Sequence, residues 1–117
     1  MLCASTVMPT SRGRHRVCRT QTASWYGRYF DGKRTASGER FDHRGMTAAS
    51  LSLPIGSMVS VTNPRSGRSV VVRINDRGPF VHHRQIDLAD EPARRIGLKH
   101  NGVERVTVVV LREGSAD

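Results

Sequence analysis

The chain of 117 residues is poor in aromatic side chains, which make up 5% of it, and it contains only two cysteines. Its core must therefore be built mainly from Val, Ile, Leu and Met, which suits a compact sheet protein. The sequence has no internal repeat, no apolar run long enough to span a membrane, and no recognisable export signal. The length leaves room for one small domain.

The two cysteines, Cys3 and Cys18, lie upstream of the patterned part of the chain. A disulfide bond between them would close a loop around no hydrophobic residues, so its structural value would be small. The chain has no C-x-x-C pair and no histidines at ligand spacing, which argues against a metal site. We expect neither a metal nor a cofactor.

Acidic side chains are scarce: 10 Asp and Glu stand against 19 Lys and Arg, a formal net charge of +9. A basic surface attracts polyanions, which include nucleic acid, acidic lipid and anionic cell-wall polymers. The arginines are scattered singly along the expected strands and turns, with no basic helix and no interleaved aromatic platform. A nucleic-acid-binding barrel is therefore the weakest of the alternatives.

The composition changes along the chain and suggests three segments. Residues 1–20 are rich in Ser, Thr and Arg without periodicity, which predicts a disordered basic head. Residues 21–112 carry the hydrophobic patterning of the domain, and residues 113–117 are expected to form a frayed tail. Within the domain, residues 46–50 form a segment of small side chains, and residues 90–96 read as a short helix.

Alternation and β-branched residues predict strands over 22–27, 58–63, 69–76, 85–88 and 103–111. About six short strands with strong turn signals favour a small closed β-barrel, because closure removes the exposed edges of an open sheet. The expected class is all-β.

The motif Asn75-Asp76-Arg77-Gly78-Pro79 directly follows a valine-rich strand. The Gly-Pro pair ends the strand abruptly, so one carboxylate and one guanidinium reach an exposed rim. Acids used for chemistry are commonly mounted in this way, but Asp and Gly are also ordinary turn residues. The motif alone is compatible with both interpretations.

A series of short motifs then follows in unbroken order over roughly residues 22–111: Ala23-Ser24-Trp25-Tyr26-Gly27, Thr35-Ala36-Ser37-Gly38-Glu39-Arg40-Phe41-Asp42, Thr47-Ala48-Ala49, Leu53-Pro54-Ile55-Gly56, Val59-Ser60-Val61-Thr62-Asn63, Gly67-Arg68-Ser69-Val70, Asn75-Asp76-Arg77-Gly78-Pro79-Phe80 and Ile86-Asp87-Leu88. In this order the motifs resemble the rare lipoprotein A (RlpA) family. Each motif is weak alone, whereas the ordered set is highly specific.

The resemblance implies a six-stranded double-psi β-barrel with one or two short helices, related in architecture to the expansins. It also implies lytic cleavage of peptidoglycan glycan strands that have been stripped of peptide. In that reaction an acid protonates the oxygen between N-acetylmuramic acid and N-acetylglucosamine, and the muramoyl 6-hydroxyl closes on the anomeric carbon. The product is a 1,6-anhydro sugar, and no water is consumed.

The same resemblance implies a protein of the bacterial cell envelope, periplasmic or associated with the outer membrane, that works after cell-wall amidases. The expected partners are the glycan strands. A monomer is expected, with no membrane span and no bound nucleic acid.

Two carboxylates are implied to be catalytic: Asp76 as the principal acid and Glu39 as its partner. A general acid at neutral pH needs a raised pKa, yet Arg77 and the net positive charge would lower it. Glu39 close to Asp76 is expected to resolve this conflict, because two nearby carboxylates resist double ionisation.

Further residues are implied to bind substrate. Asp42 and Asp87 are expected to line the same groove, although Asp42 could instead cap a turn and Asp87 could be a buried, hydrogen-bonded carboxylate. Arg77 is expected to hydrogen-bond the sugar or a carboxylate. Tyr26 or Phe80 could stack on a pyranose face.

The chain departs from the family at Ser50, where a histidine usually follows Thr-Ala-Ala. Serine can donate and accept a hydrogen bond, so we place Ser50 among the substrate-binding residues, but it cannot change charge between about pH 5 and 8. If the histidine relays a proton, activity is reduced or lost. This motivates the alternative of a non-catalytic, expansin-like barrel that binds wall polysaccharide. His43, seven residues upstream, is interpreted as an ordinary solvated loop histidine.

Overall fold

The computed structural model describes residues 7–9, 15–26, 30–79, 84–98 and 103–114. Within them the chain forms strands and one helix, in the order β1 (Val7–Pro9), β2 (His15–Tyr26), β3 (Thr47–Ser50), β4 (Met58–Asn63), β5 (Arg68–Asp76), β6 (Ile86–Ala89), α1 (Asp90–Arg95) and β7 (Glu104–Arg112). Strands β2, β6, β3, β5, β4 and β7 are neighbours in that order, and β7 pairs again with β2. The prediction of an all-β, six-stranded double-psi β-barrel is confirmed.

The barrel core is aliphatic, as the composition predicted. Successive side chains of a strand point to opposite faces. Val72 and Ile74 of β5 are therefore fully buried, whereas the preceding residue, Val71, is exposed. Val59 and Val61 of β4 are buried in the same way. No helix in the described ranges is long and apolar enough to cross a membrane.

Strands β4 and β5 form the predicted hairpin. Val59 pairs with Val72 and Val61 with Val70 in antiparallel register. The connecting turn ends at Gly67, whose φ of 74° is the left-handed value that favours glycine. The pattern of alternating apolar residues and turn residues was therefore sufficient for this element.

Strand β3 was not predicted as a strand. Residues Thr47–Ser50 pair in parallel with β5 and antiparallel with β6, and all four side chains are buried. A short strand buried on both faces has no polar alternation, and two of its four residues are alanines, which have weak strand preference. The small-residue segment is thus a central strand of the barrel.

The prediction of a disordered head up to residue 20 is wrong where the structure describes it. Strand β2 begins at His15, and Cys18 and Thr20 pair with Val109 and Thr107 of β7. Backbone pairing with a buried strand outweighs the polar composition of this segment. Cys18 is buried and disulfide-bonded, and Cys3 lies outside the described residues.

The predicted frayed tail is also wrong at its start. The backbone N–H of Gly114 donates a hydrogen bond to Ser57 Oγ at 2.9 Å. A Cβ atom added to Gly114 would lie 1.9 Å from the carbonyl oxygen of Ile55, so only glycine fits against this backbone. Residues 115–117 lie outside the described ranges.

Gly114→Ala should destabilise the protein, because the new methyl group would overlap backbone atoms that cannot move independently. We expect a loss of about 1–3 kcal/mol in the free energy of unfolding, measured by urea denaturation. Glu113→Ala, an exposed neighbour, is the control and should change the stability by less than about 0.5 kcal/mol. Equal stabilities of the two variants would contradict the close packing of Gly114.

Candidate active site

Two aspartates are brought together by the pairing of β3. Ala49 of β3 pairs with Asp76 of β5 on one side and with Asp87 of β6 on the other, and the β3–β5 register shifts between Ala48 and Ala49. Asp87 in turn pairs with Ser24 of β2. The closing barrel therefore places residues from four strands in one row.

Asp76 lies half-buried at the end of β5. Its Oδ1 atom accepts hydrogen bonds from the backbone N–H groups of Ala36 at 2.9 Å and of Arg77 at 2.8 Å. Ser37 N–H donates to the carbonyl oxygen of Asn75 at 3.0 Å, which fixes the loop containing Ala36 to the same strand. These bonds hold the Asp76 carboxylate between the strand end and the loop.

Glu39 forms a two-pronged ion pair with Arg73 of β5. Arg73 Nη1 lies 2.5 Å from Oε1 and Nη2 lies 3.1 Å from Oε2. These hydrogen bonds from Arg73 lower the pKa of Glu39; burial opposes the shift, and hydrogen bonds from Asn75 and Ser37 reinforce it. Glu39 is therefore held as an ionised carboxylate at neutral pH.

Asp87 has the opposite setting. Burial raises the pKa of its carboxyl group, while a hydrogen bond from Ser24 Oγ at 2.8 Å and the charge of Arg84 oppose the rise and the charge of Asp76 adds to it. Asp87 is therefore the carboxyl group whose pKa the negative charge of Asp76 raises. The expected like-charge partner was Glu39, which instead forms an ion pair with Arg73.

Tyr26 reaches the same group of carboxylates. Burial first, and then the charges of Asp76, Asp87 and Glu39, raise the pKa of its phenol. Its ring stacks on Phe41, with ring centroids 4.5 Å apart and an interplanar angle of 22°. Phe41 thus covers one face of the ring that was expected to stack on a sugar. The other candidate for stacking, Phe80, lies outside the described residues.

A groove of about 430 Å³ lies beside Glu39. Its lining comes from the loop before β3 and from the outer faces of β3, β4 and β5, and consists of Glu39, Arg40, Asp42, Gly45, Met46, Thr47, Met58, Val71, Arg73 and Asn75. Asp42 lines this groove and also caps a turn, since its Oδ1 accepts the backbone N–H of Arg44 at 2.9 Å. Neither Asp76 nor Asp87 is among these lining residues. That Asp42 and Asp87 line one groove stays a prediction.

Ser50 and Arg77 hold the turn that follows β3. Ser50 has 0% of its surface exposed, and its Oγ accepts the backbone N–H groups of Ser52 at 3.3 Å and Leu53 at 3.1 Å. Arg77 Nη1 donates to the carbonyl oxygens of Ser50 and Leu53. A fully buried hydroxyl has no surface for a glycan, so in this structure Ser50 supports the fold behind the site.

His43 is not the solvated loop histidine that was expected. Its Nδ1 lies 2.6 Å from Oδ2 of Asp31, and its backbone N–H donates to Oδ1 of the same residue. Asp31, Asp42 and His43 bring one potential metal-ligand atom each within 4.8 Å of one another. The two aspartates are exposed and Nδ1 is engaged by Asp31, so we assign no metal to this cluster.

Sequence reasoning missed Arg73, Ser24 and the side chain of Asn75. Arg73 was visible as a single charge inside a valine-rich strand, a placement that calls for a partner. Ser24 and Asn75 lie next to recognised motif residues, but neither carries a sequence signal that predicts its bond to a carboxylate.

Comparison with known proteins shows a family to which most of the chain is similar. A protein-family profile described as lytic transglycolase matches residues 19–108. The chain is 54% identical over 90 residues to a probable endolytic peptidoglycan transglycosylase RlpA of Synechocystis sp., covering 77% of this chain and 28% of that protein. It is 53% identical over 87 residues to the endolytic peptidoglycan transglycosylase RlpA of Pseudomonas aeruginosa, covering 74% and 26%. For the protein of that name in Neisseria meningitidis the identity is 44% over 98 residues, covering 84% and 41%.

The chain thus spans from about a quarter to about two fifths of the length of these relatives. Two solved structures share its fold at lower identity. The Streptomyces papain inhibitor aligns with a TM-score of 0.66 at 21% identity, over 81% of this chain and 94% of that one. The apo expansin of Clavibacter michiganensis aligns with a TM-score of 0.64 at 19% identity, over 85% and 52%.

Asp87→Asn should stabilise the protein in a pH-dependent manner. Because folding raises the pKa of this carboxyl group, the stability it contributes is present below the ordinary aspartate pKa of about 3.9 and is lost as the pH rises through the folded value. We expect the free energy of unfolding of the variant, relative to the wild type, to be higher at neutral pH than at about pH 3. Ser24→Ala removes the donor that favours the ionised form, so it should lower the stability at neutral pH. Urea denaturation at both pH values measures this, and a difference independent of pH would contradict the assignment.

Proposed function

The chain belongs to the lytic transglycolase family whose curated members carry the name RlpA, and from this membership we propose that it cleaves peptidoglycan glycan strands by lytic transglycosylation. The bond cleaved joins N-acetylmuramic acid to N-acetylglucosamine in strands stripped of peptide, and the product ends in 1,6-anhydro-N-acetylmuramic acid. The observation that carries the proposal is the pairing of Ala49 with both Asp76 and Asp87, at a strand end to which Ala36 and Ser37, in the loop leading to Glu39, are hydrogen-bonded.

Cleavage begins with proton transfer to the glycosidic oxygen, and Asp76 is the proposed donor. Its Oδ1 atom is fixed by two backbone N–H groups. A carboxyl group fixed in this way can present its other oxygen in one direction, which general acid catalysis requires. As the bond to the leaving N-acetylglucosamine breaks, positive charge develops at the anomeric carbon of the muramoyl residue.

Glu39 is proposed as the carboxylate that stabilises this charge. Its pairing with Arg73 keeps it ionised, and a fixed negative charge favours an oxocarbenium-like transition state. The muramoyl 6-hydroxyl then attacks the anomeric carbon and gives its proton to Asp76, which became a carboxylate in the first step. Asp76 loses one proton and regains one, so the ring closes without water and the acid is restored.

The groove beside Glu39 is suited to further sugar units of the strand. It combines the apolar side chains of Met46, Met58 and Val71 with the polar groups of Arg40 and Asp42. Sugar rings have apolar faces and hydroxyl edges, and binding sites of similar volume commonly pair apolar walls with a few polar groups. We place the protein in the bacterial cell envelope, acting as a monomer after amidases have removed the peptides.

A second candidate is a non-catalytic barrel that binds wall polysaccharide in the manner of an expansin. The observation that favours it is Ser50, which stands where the family usually has a histidine and is fully buried in a turn. In that case the protein would sediment with purified sacculi and would release no anhydro sugar from them.

Asp76→Asn should reduce the digestion of amidase-treated sacculi by about 100-fold or more, because the amide cannot donate the carboxyl proton. Glu39→Gln should also reduce it strongly, since the neutral amide leaves the developing charge unbalanced. The rate of release of soluble glycan measures both effects.

Glu113→Gln is the matched control, because it makes the same change at an exposed carboxylate outside the site. We expect wild-type rates from it. Digestion by Asp76→Asn at the rate of this control would exclude Asp76 as the acid.

A further inference from the structure

The hydroxyl oxygen of Tyr26 is buried and has no hydrogen-bond partner among the described residues. Burying a hydroxyl without a partner is unfavourable, so such groups are rare in folded proteins and call for an explanation. Stability does not supply one here, because the ring could pack equally well as phenylalanine. A group that gains its partner during function would account for the cost.

The strand register directs this hydroxyl toward the carboxylates. Side chains two residues apart on a strand share a face, so Tyr26 lies on the same side of β2 as Ser24. Ser24 is hydrogen-bonded to Asp87, and Asp87 is separated from Asp76 in the sheet by Ala49 alone. The charges of both aspartates also contribute to the raised pKa of the phenol, as this placement would produce.

Aromatic packing fixes the position of the hydroxyl. Phe41 stacks on the Tyr26 ring, and Phe30 meets the ring edge-on with centroids 5.8 Å apart and an interplanar angle of 72°. Contacts on a face and at an edge leave the ring little freedom to swing away. The O–H bond can still rotate about the ring carbon to follow a nearby acceptor.

The phenol remains a neutral donor wherever the carboxyl groups titrate, because burial and the nearby negative charges raise its pKa. Two cationic side chains near the site are engaged elsewhere. Arg73 forms an ion pair with Glu39, and Arg77 donates hydrogen bonds to backbone carbonyl oxygens. Arg84 acts on Asp87 only through its charge, and Lys33 lies over the Phe30 ring at 5.4 Å. In the described part of the chain, neither aspartate of the site forms an ion pair.

We propose that Tyr26 is a positioning residue whose hydroxyl donates a hydrogen bond to the Asp76 and Asp87 pair when the proton of that pair passes to the leaving oxygen. The pair then gains one negative charge in a poorly solvated place, and the hydroxyl stabilises that charge while keeping its own proton. This role rests on the proposed function. It differs from the sugar stacking expected for Tyr26, which would need only the ring.

Tyr26→Phe separates the two roles, because it keeps the ring and removes the hydroxyl. With denuded glycan oligomers as substrate, we expect kcat to fall roughly 10- to 100-fold, the effect of one hydrogen bond to a charged group, with KM unchanged. Losing a donor to the ionised pair favours its protonated form, so the alkaline limb of the pH–rate profile should move to higher pH. Glu113→Gln, the exposed control outside the site, should leave both kcat and that limb in place.

A titration without substrate keeps this proposal separate from the proposed function. The carboxyl carbon resonances of Asp76 and Asp87 can be followed by NMR against pH in the wild type and in Tyr26→Phe. We expect the titration of Asp87, whose pKa burial already raises, to move to higher pH in the variant. If the wild-type protein releases no anhydro sugar, only the proposed function is rejected. The titration then decides whether Tyr26 has the role proposed here. Unchanged titration, or an unchanged kcat and alkaline limb in an active enzyme, would overturn it.

Discussion

The pairing of β3 with β5 on one side and β6 on the other is the constraint on which the candidate site depends. It closes the barrel, and it fixes Ala49 between Asp76 and Asp87. A slip of one residue would turn the side chains of β3 to the opposite faces and bring a different pair of residues opposite Ala49. The burial of all four β3 side chains makes such a slip costly, so the packing of the core also sets the geometry of the chemistry.

The site gives different charge states to chemically similar groups. Arg73 holds Glu39 ionised, whereas burial disfavours the charge of Asp87, and Tyr26 stays neutral beside both. Local partners, rather than the net charge of +9, determine these charge states, because the guanidinium groups of Arg73 and Arg77 are already engaged. Acid catalysis with a nearby stabilising carboxylate requires that one carboxyl group be protonated while another is ionised.

The sequence predicted those parts of the fold that short-range patterns determine. Alternation and turn residues were sufficient for the β4–β5 hairpin, and the order of motifs was sufficient for the barrel. Strand β3 could not be recognised because a fully buried strand has no alternation, and the pairing of β2 upstream of residue 20 depends on β7, far along the chain. The Arg73–Glu39 pair joins residues 34 apart, and the burial of Ser50 follows from a turn, so neither role could be derived from residue type.

The central claim is that this arrangement of carboxyl groups cleaves glycan by internal ring closure. Mass spectrometry of the soluble products formed from denuded glycan in ¹⁸O-labelled water tests it most directly. Lytic cleavage predicts 1,6-anhydro-N-acetylmuramic acid ends that contain no label. Reducing ends that carry ¹⁸O would show hydrolysis, and sacculi that bind the protein but release no soluble product would show a binding module; either result would contradict the claim.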